Sequence, residues 1–424
     1  MESRLVITVD GLNARFLGAY GNSWIPTPSI NRLAAGGTLY ENYLVNSNDP
    51  IHNFWGMITG NHPLLAQPDQ RAASTKSLND DRHRILVTDD ADLESRVRFL
   101  FDETRFVQAE IADVEQHDTL TADIPENEEA ELESESESSP LESLFQQTLD
   151  TLLEQFQKSE DQVKLEIWMH CRGFFGAWDA PAEIQELFKD DTDPEPIDIF
   201  APPSITLQSD FDPDEKLAIV HAYAAMIVRL DECIGWLLSA VETLPSEPLI
   251  HLAGVRGFPL GEHLDIGGTS NCYSENVHVP LICTTPDRLP RRIRQMVECS
   301  DFSTCVETTT KVVAHENSGE SDSDQLRYSS SQLIVSRSKN AARIQSPAWS
   351  YTSNNPPTAD GTTDSTGFLY AKPADMMEVN AVADVCPEIA ELLGAELLRQ
   401  LGALDQGLMP ESIELDSALF DGLA

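Results

Sequence analysis

Leu5-Val6-Ile7-Thr8-Val9-Asp10-Gly11-Leu12-Asn13 is the stretch on which the fold of this chain turns. An unbroken apolar and β-branched run stops at an aspartate and a glycine. Such a run reads as a strand buried on both faces, which belongs in a largely parallel sheet covered by helices. Ligands of these sheets bind beyond the carboxyl ends of the strands, so Asp10 and Gly11 stand where chemistry would be sited. Further along, Pro28 to Ala34 predicts a helix closed by Gly36-Gly37, and Ile85 to Asp90 a second strand of the same type. Ser139-Pro140-Leu141-Glu142 is a capping box with proline at the first helical position, followed at helical spacing by Leu141, Phe145, Leu149, Leu152, Leu153 and Phe156. Leu165, Ile167 and Met169 alternate into a strand ending at His170. Asp212-Pro213-Asp214-Glu215 opens a long helix, and Leu249–Gly254 and Val279–Ile282 read as strands.

This alternation predicts the α/β class: a large mixed sheet sandwiched by helices. A polar stretch from Glu316 to Asp324 sets apart a small C-terminal α+β subdomain, with short strands at Leu333–Val335 and around Trp349–Tyr351 and a helix from Pro387 to Leu401. The expected units are therefore 1–315 and 325–424. Between about 113 and 139, glutamates alternate with serines and large apolar residues are scarce, which predicts a mobile acidic surface loop.

Twenty-eight Lys and Arg stand against 71 Asp and Glu, a formal net charge of −43. That charge repels nucleic acid and anionic membrane surfaces, so neither is expected as a partner. No run of about 20 apolar residues offers a membrane span. The N-terminal apolar run is too short for a signal peptide, and the seven cysteines never form a C-x-x-C pair. Both point to a cytoplasmic protein with reduced, buried thiols.

Val9-Asp10-Gly11-Leu12-Asn13 and Leu17-Gly18-Ala19-Tyr20-Gly21-Asn22, leading into Thr27-Pro28-Ser29-Ile30-Asn31-Arg32-Leu33-Ala34-Ala35-Gly36-Gly37, resemble the opening of a sulfatase, in the alkaline-phosphatase-like superfamily. In order, Thr59-Gly60-Asn61-His62-Pro63 resembles the end of the nucleophile helix, and His170-Cys171-Arg172-Gly173 to Trp178-Asp179-Ala180-Pro181 the substrate loop. Tyr223 to Leu238, Leu260-Gly261-Glu262-His263 and Val279-Pro280-Leu281-Ile282 follow at family spacing, and Arg343 to Tyr351 with Leu369-Tyr370 resemble the C-terminal subdomain.

The resemblance implies a formylglycine nucleophile made from Cys or Ser in a C/S-x-P-x-R motif, beside calcium. Here Pro50-Ile51-His52-Asn53-Phe54 occupy those positions, with Phe54 in place of the activating Arg. No cysteine precedes Cys171, and Ser47 is the nearest hydroxyl. The family's Asp-Asp pair is Asp10-Gly11, leaving Asp10 as a remnant metal position. Its later metal motif corresponds to Val255-Arg256-Gly257, and arginine brings positive charge and no lone pair. Asp10 and Arg256 are thus expected to form a metal-free salt bridge. The substrate-loop His appears as Phe175, and the sulfate-neutralising Lys is expected where Gly267-Gly268-Thr269-Ser270 stand. A transferring sulfuryl group needs such cations for its developing charge.

The expected function is a sulfatase-fold pseudoenzyme without catalytic residues or cofactor. It would bind an anionic small molecule through Arg172 and Arg256, or a protein partner, an active sulfatase among the candidates. The alternative is an active sulfatase or related phospho- or sulfo-ester hydrolase with an atypical site, using calcium if the family activity is retained. His52, His62, His251 and His263 with Asp10 could instead hold zinc, but they are scattered and not at i,i+4 spacing, so structural roles are the expected ones. Trp178 and Asp179 read either as cleft lining or, for Trp178, as core. A third reading has Phe54, Phe175 and Val255 meeting to pack the former site.

Overall fold

The computed structural model describes residues 3–65, 82–108, 139–158, 164–307, 332–354, 367–410 and 417–420. The acidic stretch expected near 113–139 falls outside them except for Ser139, as does the polar stretch 316–324. The strands are β1 (Arg4–Asp10), β2 (Gly37–Leu44), β3 (Arg82–Thr88), β4 (Glu103–Phe106), β5 (Lys164–Cys171), β6 (Ile205–Thr206), β7 (Leu249–Arg256), β8 (Asp265–Ile266), β9 (Leu281–Thr284) and β10 (Arg291–Glu298). Eight of them form one sheet in the order β10-β2-β9-β7-β1-β5-β3-β4. It is mixed: β9 runs antiparallel to both neighbours, β2 and β7, and the other pairings are parallel.

β1 lies between β7 and β5 and is buried from Leu5 onward. Leu5, Ile7 and Val9 enter the apolar cluster on one face, packed with Leu144, Phe145 and Tyr223 from the helices α4 (Pro140–Lys158) and α6 (Pro213–Val241). Val6 enters the cluster on the other face, with Phe54 and Trp55 of α2 (Pro50–Thr59). The helix starts follow the sequence. The Asp212 side chain accepts the Asp214 amide ahead of Pro213. Ser139 and Glu142 exchange the two bonds of a capping box, Ser139 N to Oε2 at 3.3 Å and Glu142 N to Oγ at 3.2 Å. The α4 stripe is corrected at its C-terminal end: Leu141, Phe145, Leu149 and Leu152 are buried, whereas Leu153 is exposed because it lies one position off the stripe.

A four-stranded antiparallel sheet, β11 (Ile334–Arg337), β12 (Ala341–Gln345), β13 (Trp349–Asn354) and β14 (Phe368–Ala371), packs under the C-terminal helix Pro387–Asp405. Val335, Ile344, Leu369, Leu393 and Leu397 form its core. β11 is stitched to the main body: the Arg337 amide donates to Asn46 O at 2.9 Å, and Ser336 Oγ to Val45 O at 2.6 Å. Six cysteines are buried, Cys386 is half-buried, and all seven are free thiols. Among the described residues no helix is long and apolar enough to cross a membrane.

Candidate functional site

The carboxyl end of β1 is shaped by an irregularity in its pairing with β7. Val9 pairs with Gly254 but Asp10 pairs with Arg256, so Val255 is an extra residue on β7. A bulge of this kind re-aims the side chain that follows it, here turning Arg256 onto Asp10. Asn53 of α2 holds the bulge, its Nδ2 donating to Val255 O at 2.7 Å, and the Gly11 amide donates to Arg256 O at 3.0 Å.

The result is a bidentate ion pair. Arg256 Nε meets Asp10 Oδ1 at 2.9 Å and Nη2 meets Oδ2 at 2.6 Å, with the side chains 12% and 4% exposed. Arg256 Nη1 donates to Asn48 O at 3.1 Å, and the guanidinium carbon lies 3.7 Å from the centroid of the Phe175 ring. Such a stacked, forked pair is the strong form of the interaction. The Asp10–Arg256 bridge expected from the sequence is therefore present.

Gly11 has φ +79°, and a Cβ there would stand 2.7 Å from Phe174 Cβ. No second carboxylate fits at that position. Gly173, at φ +47°, approaches so closely that its Cβ would lie 2.5 Å from Asp10 O. Tyr223 of α6 donates its hydroxyl to Gly11 O at 2.8 Å and accepts the Asn13 amide at 3.3 Å. Burial pushes the Tyr223 phenol well up, so it acts as a neutral bridge.

The other expected positions are divided. Pro50 starts α2 behind the cap Asp49, and Asn48 ties this corner to the 267–270 loop by donating to Thr269 O at 3.0 Å. Phe54 is in the core, its ring centroid 5.2 Å from Trp168 and 5.5 Å from His170. Phe54 and Val255 share one apolar cluster while Phe175 packs against the other, so the expectation that all three meet is corrected: strand alternation sends Val255 and Arg256 to opposite faces. Arg172 is exposed; its Nη2 donates to Phe175 O at 3.1 Å and its amide to Asp89 Oδ1 at 2.9 Å. Trp178 is core rather than cleft lining, its Nε1 donating to Phe174 O at 2.8 Å. Burial pushes the Asp179 carboxyl up. Ser47 Oγ accepts the Asp49 amide at 3.0 Å, a local turn.

The four histidines do not converge. His52 faces Asp49, His62 lies 3.6 Å from Glu298, His251 is fully buried in β7, and His263 bonds Glu275. Among the described residues no three His, Cys, Asp or Glu side chains gather as a metal site would need. The donors at Asp10 do not fit calcium either. Calcium takes six to eight oxygens, whereas the single carboxylate here has both oxygens facing a fixed cation. Sequence reasoning missed Asn48, Asn53 and Tyr223. Asn53 carried a signal, a lone amide among Ile51, Phe54, Trp55, Met57 and Ile58.

No protein-family model and no curated protein matches this sequence. Solved structures do. The phosphonate monoester hydrolase of Agrobacterium radiobacter superposes with a TM-score of 0.65 at 14% identity, covering 96% of each chain. A protein solved with its substrate D-glucosamine-2-N,6-O-disulfate gives 0.65 at 14%, over 96% of this chain and 99% of its own. A 2-O glycosaminoglycan sulfatase gives 0.63 at 13%, over 96% and 92%. This is the sulfatase fold. The mixed eight-stranded sheet and the small antiparallel C-terminal sheet are its two parts. In this sulfatase-like chain, Asp10 and Arg256 stand where strand ends offer a ligand site.

Proposed function

We propose that this sulfatase-fold chain has lost formylglycine- and calcium-dependent sulfuric ester hydrolysis and serves as a binding or scaffold protein. The observation that carries the reading is the closed Asp10–Arg256 pair under the Phe175 ring, a cation of the chain itself held against the lone carboxylate. Pro50 at the helix start and Phe54 in the core support it, because neither supplies a nucleophile or a positive charge. The occupant in this reading is an anionic small molecule met by the exposed Arg172, since Arg256 is committed to Asp10, or a protein partner. The seven free thiols favour a cytoplasmic setting. The division into units 1–315 and 325–424 belongs to the same proposal.

The test is turnover of aryl sulfate and aryl phosphate esters by the purified full chain, with and without calcium or zinc, beside Asp10→Ala. The expected result is no turnover above that control in any metal. Metal-stimulated hydrolysis that disappears in Asp10→Ala would overturn the reading and return the chain to the active hydrolases.

A further inference from the structure

His263 sits between two groups that can only accept hydrogen bonds. Its Nδ1 is 2.6 Å from Glu275 Oε1, and its Nε2 is 3.0 Å from the backbone carbonyl oxygen of Glu378. A neutral imidazole has one N–H to give; two acceptors on opposite sides are satisfied only by the imidazolium. The ring is stacked on Tyr273 with centroids 3.6 Å apart and planes 3° from parallel, a face that favours a cation.

The two bonds join separate parts of the molecule. Glu275 belongs to the short helix Ser274–Val277 beside the main sheet, and Glu378 to the segment 372–380 that follows β14. In that segment Lys372 and Glu378 are buried while Met376, Met377 and Val379 are exposed. Leu264, next to His263, and Glu378 itself both hold positive φ, 61° and 56°, although neither is glycine. Backbone of that kind persists only where neighbouring contacts hold it.

We propose that His263 is a pH-sensitive latch: as the imidazolium it adds a tie between segment 372–380 and the main body, and on losing its proton it withdraws that tie and loosens the segment, which Arg343 and the Ser274 amide still hold through the Glu378 carboxylate. When the ring becomes neutral, the remaining proton stays on Nδ1 with the carboxylate. Nε2 then presents a lone pair to a carbonyl oxygen, and the bond to the segment is lost while the bond to Glu275 survives.

The charges around the ring set the direction. Burial works against the charged ring, but Glu275 and then Glu378 outweigh it and hold His263 above its ordinary value. Glu378 is itself kept ionised by Arg343 and Lys372 on its carboxylate, at 2.9 and 3.0 Å, and by the Ser274 amide. Arg15 pairs with Glu262 and donates to Met377 Sδ, a further contact between the segment and the main body. Asp265 also faces Glu275, and Tyr370 stands edge-on to the ring. With the folded pKa raised, the latch is closed at and below the ordinary histidine range of about 6.5 and opens as pH rises through the raised value.

The test uses the full chain with 15N-labelled histidine. Long-range nitrogen–proton correlations near about pH 6.5 should show both His263 nitrogens protonated, since that is the ordinary histidine midpoint. Amide hydrogen exchange in 374–380, corrected for intrinsic rates, should accelerate as pH crosses the midpoint read from the ring. Glu275→Gln removes the carboxylate charge and should lower both midpoints together by about one unit or more, a tenfold change in proton affinity. His263→Gln should leave the segment exchanging fast at every pH. A ring neutral near pH 6.5, or exchange in the segment unchanged while the ring titrates, would overturn the proposal; both are read on the wild-type chain.

Discussion

A carboxylate and a guanidinium held at 2.6 and 2.9 Å with little exposure depend on each other: removing one strands the other. Breaking a buried pair of this kind costs about 3–5 kcal/mol, mostly as an uncompensated charge. Asp10→Ala should therefore lose about 3 kcal/mol in urea denaturation, whereas Asp10→Ala with Arg256→Met should recover part of that loss. A double variant no more stable than Asp10→Ala would mean that Arg256 is held by Asn48 and Phe175 alone. At this scale the sequence was legible where chemistry is local. Asp10 and Arg256 were readable as partners because each stood at a motif position that fixed its place in the fold. Asn48 was not, because its part is played by a backbone oxygen and no side-chain pattern marks that.

At the scale of elements, two glycines act in opposite senses. Gly11 adopts φ +79° against Phe174, so Gly11→Ala meets both strain and a 2.7 Å contact. It should destabilise by at least about 1–3 kcal/mol, the range for a non-glycine residue forced into left-handed backbone. Gly402 lies inside the C-terminal helix with open space where a Cβ would stand. Gly402→Ala should stabilise by about 0.5–1 kcal/mol, and the two together in one thermal-denaturation series give the contrast its control. Element starts were well marked in the sequence because caps are local: Asp212-Pro213 and the Ser139–Glu142 box each carry their own hydrogen bonds. The bulge at Val255 was hidden, since an extra residue in a pairing is a property of two strands and neither shows it alone. β10 was hidden for another reason: Arg291, Arg292 and Arg294 interrupt any apolar run, because it is a sheet edge, where charge is what guards against further pairing.

For the molecule as a whole, two histidines held below their ordinary value make the fold sensitive to acid. Burial first, then Arg4 and Arg82, push His251 down to about 3, and burial pushes His278 down to about 4. Below the ordinary value of about 6.5 the unfolded chain takes up these protons and the folded chain does not. Stability therefore rises with pH across this window and falls as the solution is acidified toward 4. Between about pH 6.5 and 5 the two together should withdraw about 3 kcal/mol, and His251→Leu should halve that slope in denaturant titrations at constant ionic strength. An unchanged slope in the variant would place the acid sensitivity elsewhere. The broad architecture was legible because ordered motifs along most of the chain fix a topology even when each is weak alone.

Arg256, the charge that balances Asp10, is joined to the chain by peptide bonds. Its stoichiometry is one per molecule in any surroundings. No chelator strips it, no competing metal displaces it, and a fall in free calcium leaves it in place. The end of β1 thus keeps its charge balance from the moment the chain folds, independent of supply.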